Sequence, residues 1–247
     1  MKCLSALLLS WVLCVAVPAQ ADDSLAHARR AQGLLGADVW SQLIRVENTG
    51  RSRSYPRTVN ALIFELAGIL WFYTDANGTQ SFSTHRGRLA EDKNNLSPLL
   101  LEIDSGFTAW TAVVADERAT AAALSQKGPL LNGCLIESVA NLRSRVMAGA
   151  AAGRAQLLSY YVELPDGMQG HTVLTCETDD AILVIDPASP ERLRKFSSRL
   201  SGDARALATR LVGRKVAKAV WVKVNDFAPP RIARYASLAV DSGSAMN

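Results

Sequence analysis

Three places in the chain carry residue types suited to covalent chemistry: Asn132-Gly133-Cys134, Gly170-His171 and Ile185-Asp186-Pro187. Asn132 is a candidate helix N-cap, which puts Cys134 in the first turn of a predicted helix. The positive end of a helix lowers a thiol pKa, and the thiolate is the attacking species. The competing reading is that Cys134 packs as a small buried residue. His171 opens a predicted strand, Thr178-Asp179-Asp180 reads as a hairpin turn, and the second strand ends at Asp186. Antiparallel pairing then brings Asp186 opposite or diagonal to His171, within side-chain reach. Alternation sets His171, Val173 and Thr175 on one face and Cys176 on the other. An aspartate so placed orients an imidazole and stabilises its protonated form. A structural histidine beside a turn-capping aspartate is the alternative.

A cysteine at a helix start, then strands, then His at a strand start and Asp fifteen residues later is a more specific pattern. The segments NGCLIESVANL (132–142) and GHTVLTCETDDAILVIDPASP (170–190) resemble the papain-like cysteine peptidase superfamily. They are most similar to its bacteriocin-processing-type and transglutaminase-like branches. The resemblance covers roughly residues 120–225. It implies an α+β fold with a papain-like core, in which the helix carrying Cys134 at its N-terminus packs on an antiparallel sheet. It also implies a Cys134–His171–Asp186 triad. The family usually places a glutamine a few residues before the cysteine to help hold the oxyanion. Here Gln126 lies eight residues upstream, and Gly128 occupies the commoner offset of six. Asn132 and the Cys134 backbone N–H are the other oxyanion candidates. Leu135 follows the cysteine, where many relatives have Gly or Trp.

Other chemistry is less well supported by the residues. His85 has Glu91 and Asp92 near it but no aspartate at hairpin spacing, and His27 lies on a predicted surface helix. Three histidines and the cysteines show no close metal-ligand spacing, so no metal is expected. No Gly-rich phosphate loop occurs, and no cofactor is expected. Arg192, Arg194, Lys195, Arg199, Arg214, Lys215 and Lys218 lack interleaved aromatics, which argues against nucleic acid as a partner.

The elements that must position these residues begin after a leader. Lys2, an apolar run from Cys3 to Pro18 and Ala19-Gln20-Ala21 have the order of a secretory signal peptide, residues 1–21. The apolar run is short of the roughly 20 residues of a membrane span. Export to the periplasm or outside the cell is therefore expected, with no stable membrane span after cleavage. Four cysteines invite two disulfides, but Cys3 and Cys14 belong to the leader. With Lys2 removed as well, the formal charge of +4 falls to +3. If the triad holds, Cys176 sits about 16 Å along the strand from His171, at ~3.3 Å per residue, and on the other face. A disulfide needs Cα atoms within about 7 Å. The triad and a Cys134–Cys176 bridge exclude each other, so Cys176 is expected to be an inert core thiol.

Helices are predicted over 24–34, 88–104, 117–125, 134–151 and 204–213. Within 134–151, Ile136, Val139, Ala140, Val146 and Met147 form the expected buried side. Strands are predicted over 61–65, 69–74, 79–84, 156–163, 171–177, 181–186 and 219–224. Asn77-Gly78 marks a hairpin. The expected organisation is an N-terminal helix and β-hairpin region of undefined role (22–115), a papain-like core (116–235) and a polar tail (236–247).

The leading expectation is an exported thiol hydrolase or acyl transferase acting on amide or isopeptide bonds. Its substrate is then a peptide, a protein or peptidoglycan. The alternatives are a non-catalytic binding or assembly module with the same fold, and a small exported protein stapled by one disulfide.

Overall fold

The computed structural model describes residues 18–49, 54–66, 68–81, 96–147, 154–165 and 167–222. The expectations for the leader up to residue 17, His85 and the tail lie outside those residues. The fold is α+β, with two antiparallel five-stranded sheets and, among the described residues, five α-helices. The chain forms two compact units, residues 1–137 and 138–247.

The first unit holds β1 (Ser41–Asn48), β2 (Thr58–Leu66), β3 (Ile69–Thr74), β4 (Gly78–Ser81) and β5 (Phe107–Ala112) in the order β4-β3-β2-β1-β5. Helix α1 runs over Pro18–Leu35, α2 over Ser97–Ile103 and α3 over Glu117–Leu124. The sheet is apolar on both faces, as its nearly continuous β-branched and aromatic strands require. Ile44, Val46, Ala61, Ile63, Leu70 and Phe72 pack with Leu96, Leu99, Leu100 and Phe107 on one face. Leu43, Leu62 and Tyr73 pair across the other face, all buried. The β3–β4 hairpin turns at Asp75-Ala76-Asn77, and Gly78 takes a left-handed φ of 71°. An added Cβ there would also meet the Asn132 carbonyl at 3.0 Å. Asp116 caps α3 by accepting from Ala119 N–H.

The second unit holds β6 (Arg154–Leu164), β7 (Gly167–Glu177), β8 (Ala181–Asp186), β9 (Ser189–Ser197) and β10 (Val216–Val222), ordered β10-β6-β7-β8-β9. Helix α5 (Ala204–Val212) covers one face. Its Leu207, Ala208 and Leu211 meet Leu158, Tyr160, Val173, Ile182 and Val184. Asp203 caps its start and Gly213, at φ 71°, ends it in the left-handed conformation. Helix α4 (Cys134–Met147) contains the division between the units.

Several predicted bounds shift. Helix α1 begins six residues before the expected start. Of the predicted 88–104 helix only Ser97–Ile103 falls among the described residues as helix. In α4, Ile136 and Val139 are buried as expected, but so are Leu135 and Leu142, while Ala140 and Val146 are half-buried. Leu135, the residue after the cysteine, thus packs into the interior. Strands β1, β5 and β9 were not predicted. No helix among the described residues is long and apolar enough to cross a membrane.

Candidate functional site

In the second unit, β7 and β8 bring His171 and Asp186 together. The pairing Leu174↔Ile185 runs on towards Asp186 and sets it diagonally across from His171. His171 Nε2 lies 3.0 Å from Asp186 Oδ1, with both side chains about 30% exposed (27% and 31%). The same carboxylate oxygen accepts from Ala188 N–H at 2.9 Å. Asp186 therefore opens the tight β8–β9 turn, where Pro187 supplies the fixed φ of a turn position. The His171 hydrogen bond holds the Asp186 carboxyl below its ordinary value. Burial opposes this, while Ala188 N–H and the nearby charges of His171 and Arg194 add to it. Asp186 remains ionised and orients the ring through Nε2.

Tyr160 is the direct cross-strand partner of His171, its ring edge-on at 5.7 Å and 71°. Gly170 lies under the Tyr161 ring, where a Cβ would meet Tyr161 Cε1 at 2.9 Å. Ser138 of α4 is fully buried, and its hydroxyl donates to the Thr172 carbonyl at 3.0 Å.

Cys134, Gln126 and Asn132 belong to the first unit. Cys134 is the first residue of α4, half-buried and free. Asn132 does not cap the helix. It has a left-handed φ of 52°, whereas a capping residue is normally extended. Gly133 stands at the cap position, and its carbonyl accepts from Glu137 N–H at 3.0 Å. The Asn132 side-chain amide instead donates to the carbonyls of Asp75 at 2.7 Å and Ala76 at 3.3 Å. The Asn132 amide is thus directed to the hairpin turn rather than to an oxyanion position. Gln126 is exposed, in the connection after α3. Gly133 is required sterically, since a Cβ there would lie 2.3 Å from Leu130 Cδ2.

The first unit holds a second His–Asp pair that the sequence reading passed over. His27 Nδ1 of α1 lies 3.2 Å from Asp75 Oδ2, at 27% and 19% exposure. No local signal marks it, because the partners are 48 residues apart. Arg30, expected to face solvent on the N-terminal helix, is half-buried and hydrogen-bonded to the Gly128 and Pro129 carbonyls, and Tyr73, Glu137 and Ser138 carry no assigned role in the sequence analysis. Of these, only Glu137 was visible as a motif, an acid in the first turn of a predicted helix.

Cys176 is a free, half-buried thiol, and burial pushes it above its ordinary value against the opposing Arg145 charge. Among the described residues no group of three or more His, Cys, Asp or Glu side chains could hold a metal ion. No family model, curated protein or solved structure matches the chain.

Proposed function

We propose that the protein is an exported thiol hydrolase or acyl transferase with a papain-like core, acting on amide or isopeptide bonds of a peptide, a protein or peptidoglycan. The observation that carries this reading is the 3.0 Å bond from His171 Nε2 to an ionised, turn-anchored Asp186. It fixes the ring by one nitrogen, the orientation that the base of a nucleophile–base–orienter triad requires. Cys134, at the first position of α4, supplies the thiol in this reading. In this scheme His171 takes the thiol proton and the Cys134 sulfur attacks the carbonyl carbon. The tetrahedral oxyanion collapses to a thioester, and the leaving amine departs with the proton from His171. Water or a second amine then attacks the thioester and frees the thiol, so hydrolysis and transfer differ only in the second nucleophile.

Iodoacetamide labelling of the folded protein at neutral pH tests the reading. The expected result is selective modification of Cys134 and loss of amide turnover in Cys134→Ala. An unreactive Cys134 in folded protein, or unchanged turnover in Cys134→Ala, overturns it. The second reading is a non-catalytic binding module of the same fold. It is favoured by the Asn132 amide being spent on the hairpin turn and by the exposure of Gln126.

A further inference from the structure

The six residues leading into Cys134 are each tied by hydrogen bonds within the first unit. Arg30 donates through its guanidinium to the Gly128 carbonyl and, at 3.4 Å, to that of Pro129. Glu137 accepts from Leu130 N–H. The Tyr73 hydroxyl donates to the Leu131 carbonyl at 2.8 Å. Asn132 donates to Asp75 and Ala76, and Gly133 N–H donates to the Leu130 carbonyl at 3.0 Å. The partners come from α1, β3, the β3–β4 turn and α4, so four separate parts of the unit converge on one short segment.

We propose that Tyr73 and Asn132 are positioning residues for the thiol chemistry, clamping residues 128–133 so that the Cys134 backbone N–H is held where an oxyanion develops. The proposal rests on the reading of Cys134 as a nucleophile and adds the part of the site that neither Gln126 nor the Asn132 side chain supplies. The first N–H groups of a helix have no carbonyl partner within it, so their direction is set by the segment that enters the helix. An N–H stabilises an oxyanion only when it already points at the developing charge.

Three observations separate this clamp from ordinary loop packing. Tyr73 is wholly buried, and burial, reinforced by the carboxylates of Asp75 and Glu137, raises its phenol so that it stays a donor throughout the working range. Asn132 is held in the left-handed region, which persists in a residue with a Cβ where the surroundings dictate it. Its carbonyl also sits against Gly78, whose missing side chain admits it. The hairpin and the entry to α4 are thereby locked from both sides.

The test compares two reagents on the full protein. 4-Nitrophenyl acetate acylates a thiolate through a tetrahedral oxyanion: the S–C bond forms, 4-nitrophenolate leaves and a thioester remains. Iodoacetamide alkylates by displacement of iodide and forms no oxyanion. Two variants are used. Tyr73→Phe keeps the ring and removes the hydroxyl. Asn132→Gly keeps access to the left-handed conformation and removes only the side chain. Each is expected to lower the acylation rate by about tenfold or more, with alkylation changed by less than about threefold. Equal losses in both rates, or no loss in either, overturn the clamp. If Tyr73→Phe does not fold, as read by circular dichroism, Asn132→Gly alone decides. A wild-type Cys134 that reacts with neither reagent overturns the thiol reading itself, which keeps the two failures distinct.

Discussion

His171 and Asp186 are coupled through one hydrogen bond, and the carboxylate has the larger structural burden. It faces the imidazole and also anchors the β8–β9 turn. Its folded pKa lies below the ordinary 3.8. The stabilisation linked to this shift is therefore present above that value and is lost as pH falls through the depressed one. Asp186→Asn should flatten the acid limb of the stability curve, measured as urea midpoints from pH 5 down to pH 2. An unchanged acid limb would mean that the pair carries no stability. The pair was legible in the sequence because it depends on local quantities, namely the hairpin turn and the period of two. The clamp was not, because Tyr73–Leu131 and Asn132–Asp75 join residues 58 and 57 positions apart. Asn132 drew attention as a capping residue type, and the fold uses its amide elsewhere.

At the scale of the element, α4 is set by a steric requirement at Gly133 and a buried hydrogen bond from Ser138, five residues on. Gly133→Ala forces a Cβ into Leu130 and is expected to cost about 1–3 kcal/mol in a denaturant titration. Adding Leu130→Ala removes the Cγ and Cδ2 atoms of that clash and leaves only the Leu130 Cβ, at 2.8 Å, so the double variant should lose less than the sum of the two single variants. Strict additivity would place the cost elsewhere. Ser138→Ala leaves the Thr172 carbonyl without this donor and should cost about 1–3 kcal/mol. Strands reveal themselves unevenly at this scale. β7 and β8 have apolar alternation, and the hairpin of β3 and β4 has Asn-Gly. β9, read from SPERLRKFS, has a proline and four charged residues and is exposed along nearly its whole length. Such a strand lies at a sheet edge, where charge blunts unwanted pairing, and so lacks the pattern used to find strands. β1 and β5 are strands through their pairing with β2 and with each other, which hydropathy does not record.

For the whole molecule, two antiparallel sheets of five strands each form separate compact units. The expected organisation set residues 22–115 apart from a core starting at 116. In the structure residues 116–137, with Gln126, Asn132 and Cys134, belong to the unit of the N-terminal sheet. No Pro/Gly/Ser linker marks the division, because it falls inside a continuous helix. The N-terminal region therefore supplies Tyr73, Asp75 and Arg30 to the segment that ends at the cysteine. Cys134 and Cys176, the free thiols among the described residues, offer a test at this scale. Native protein should gain one carbamidomethyl group, at Cys134, whereas protein unfolded in denaturant should also gain one at Cys176. Native modification of Cys176 at a comparable rate would remove its assignment as a bystander held up by burial.

The most direct measurement is the rate of Cys134 alkylation by iodoacetamide at neutral pH in the wild type and in His171→Ala. A thiol activated by His171 as base reacts fast in the wild type and much more slowly once the imidazole is removed. An equal rate in the two proteins would contradict a nucleophile–base pair built from these two residues.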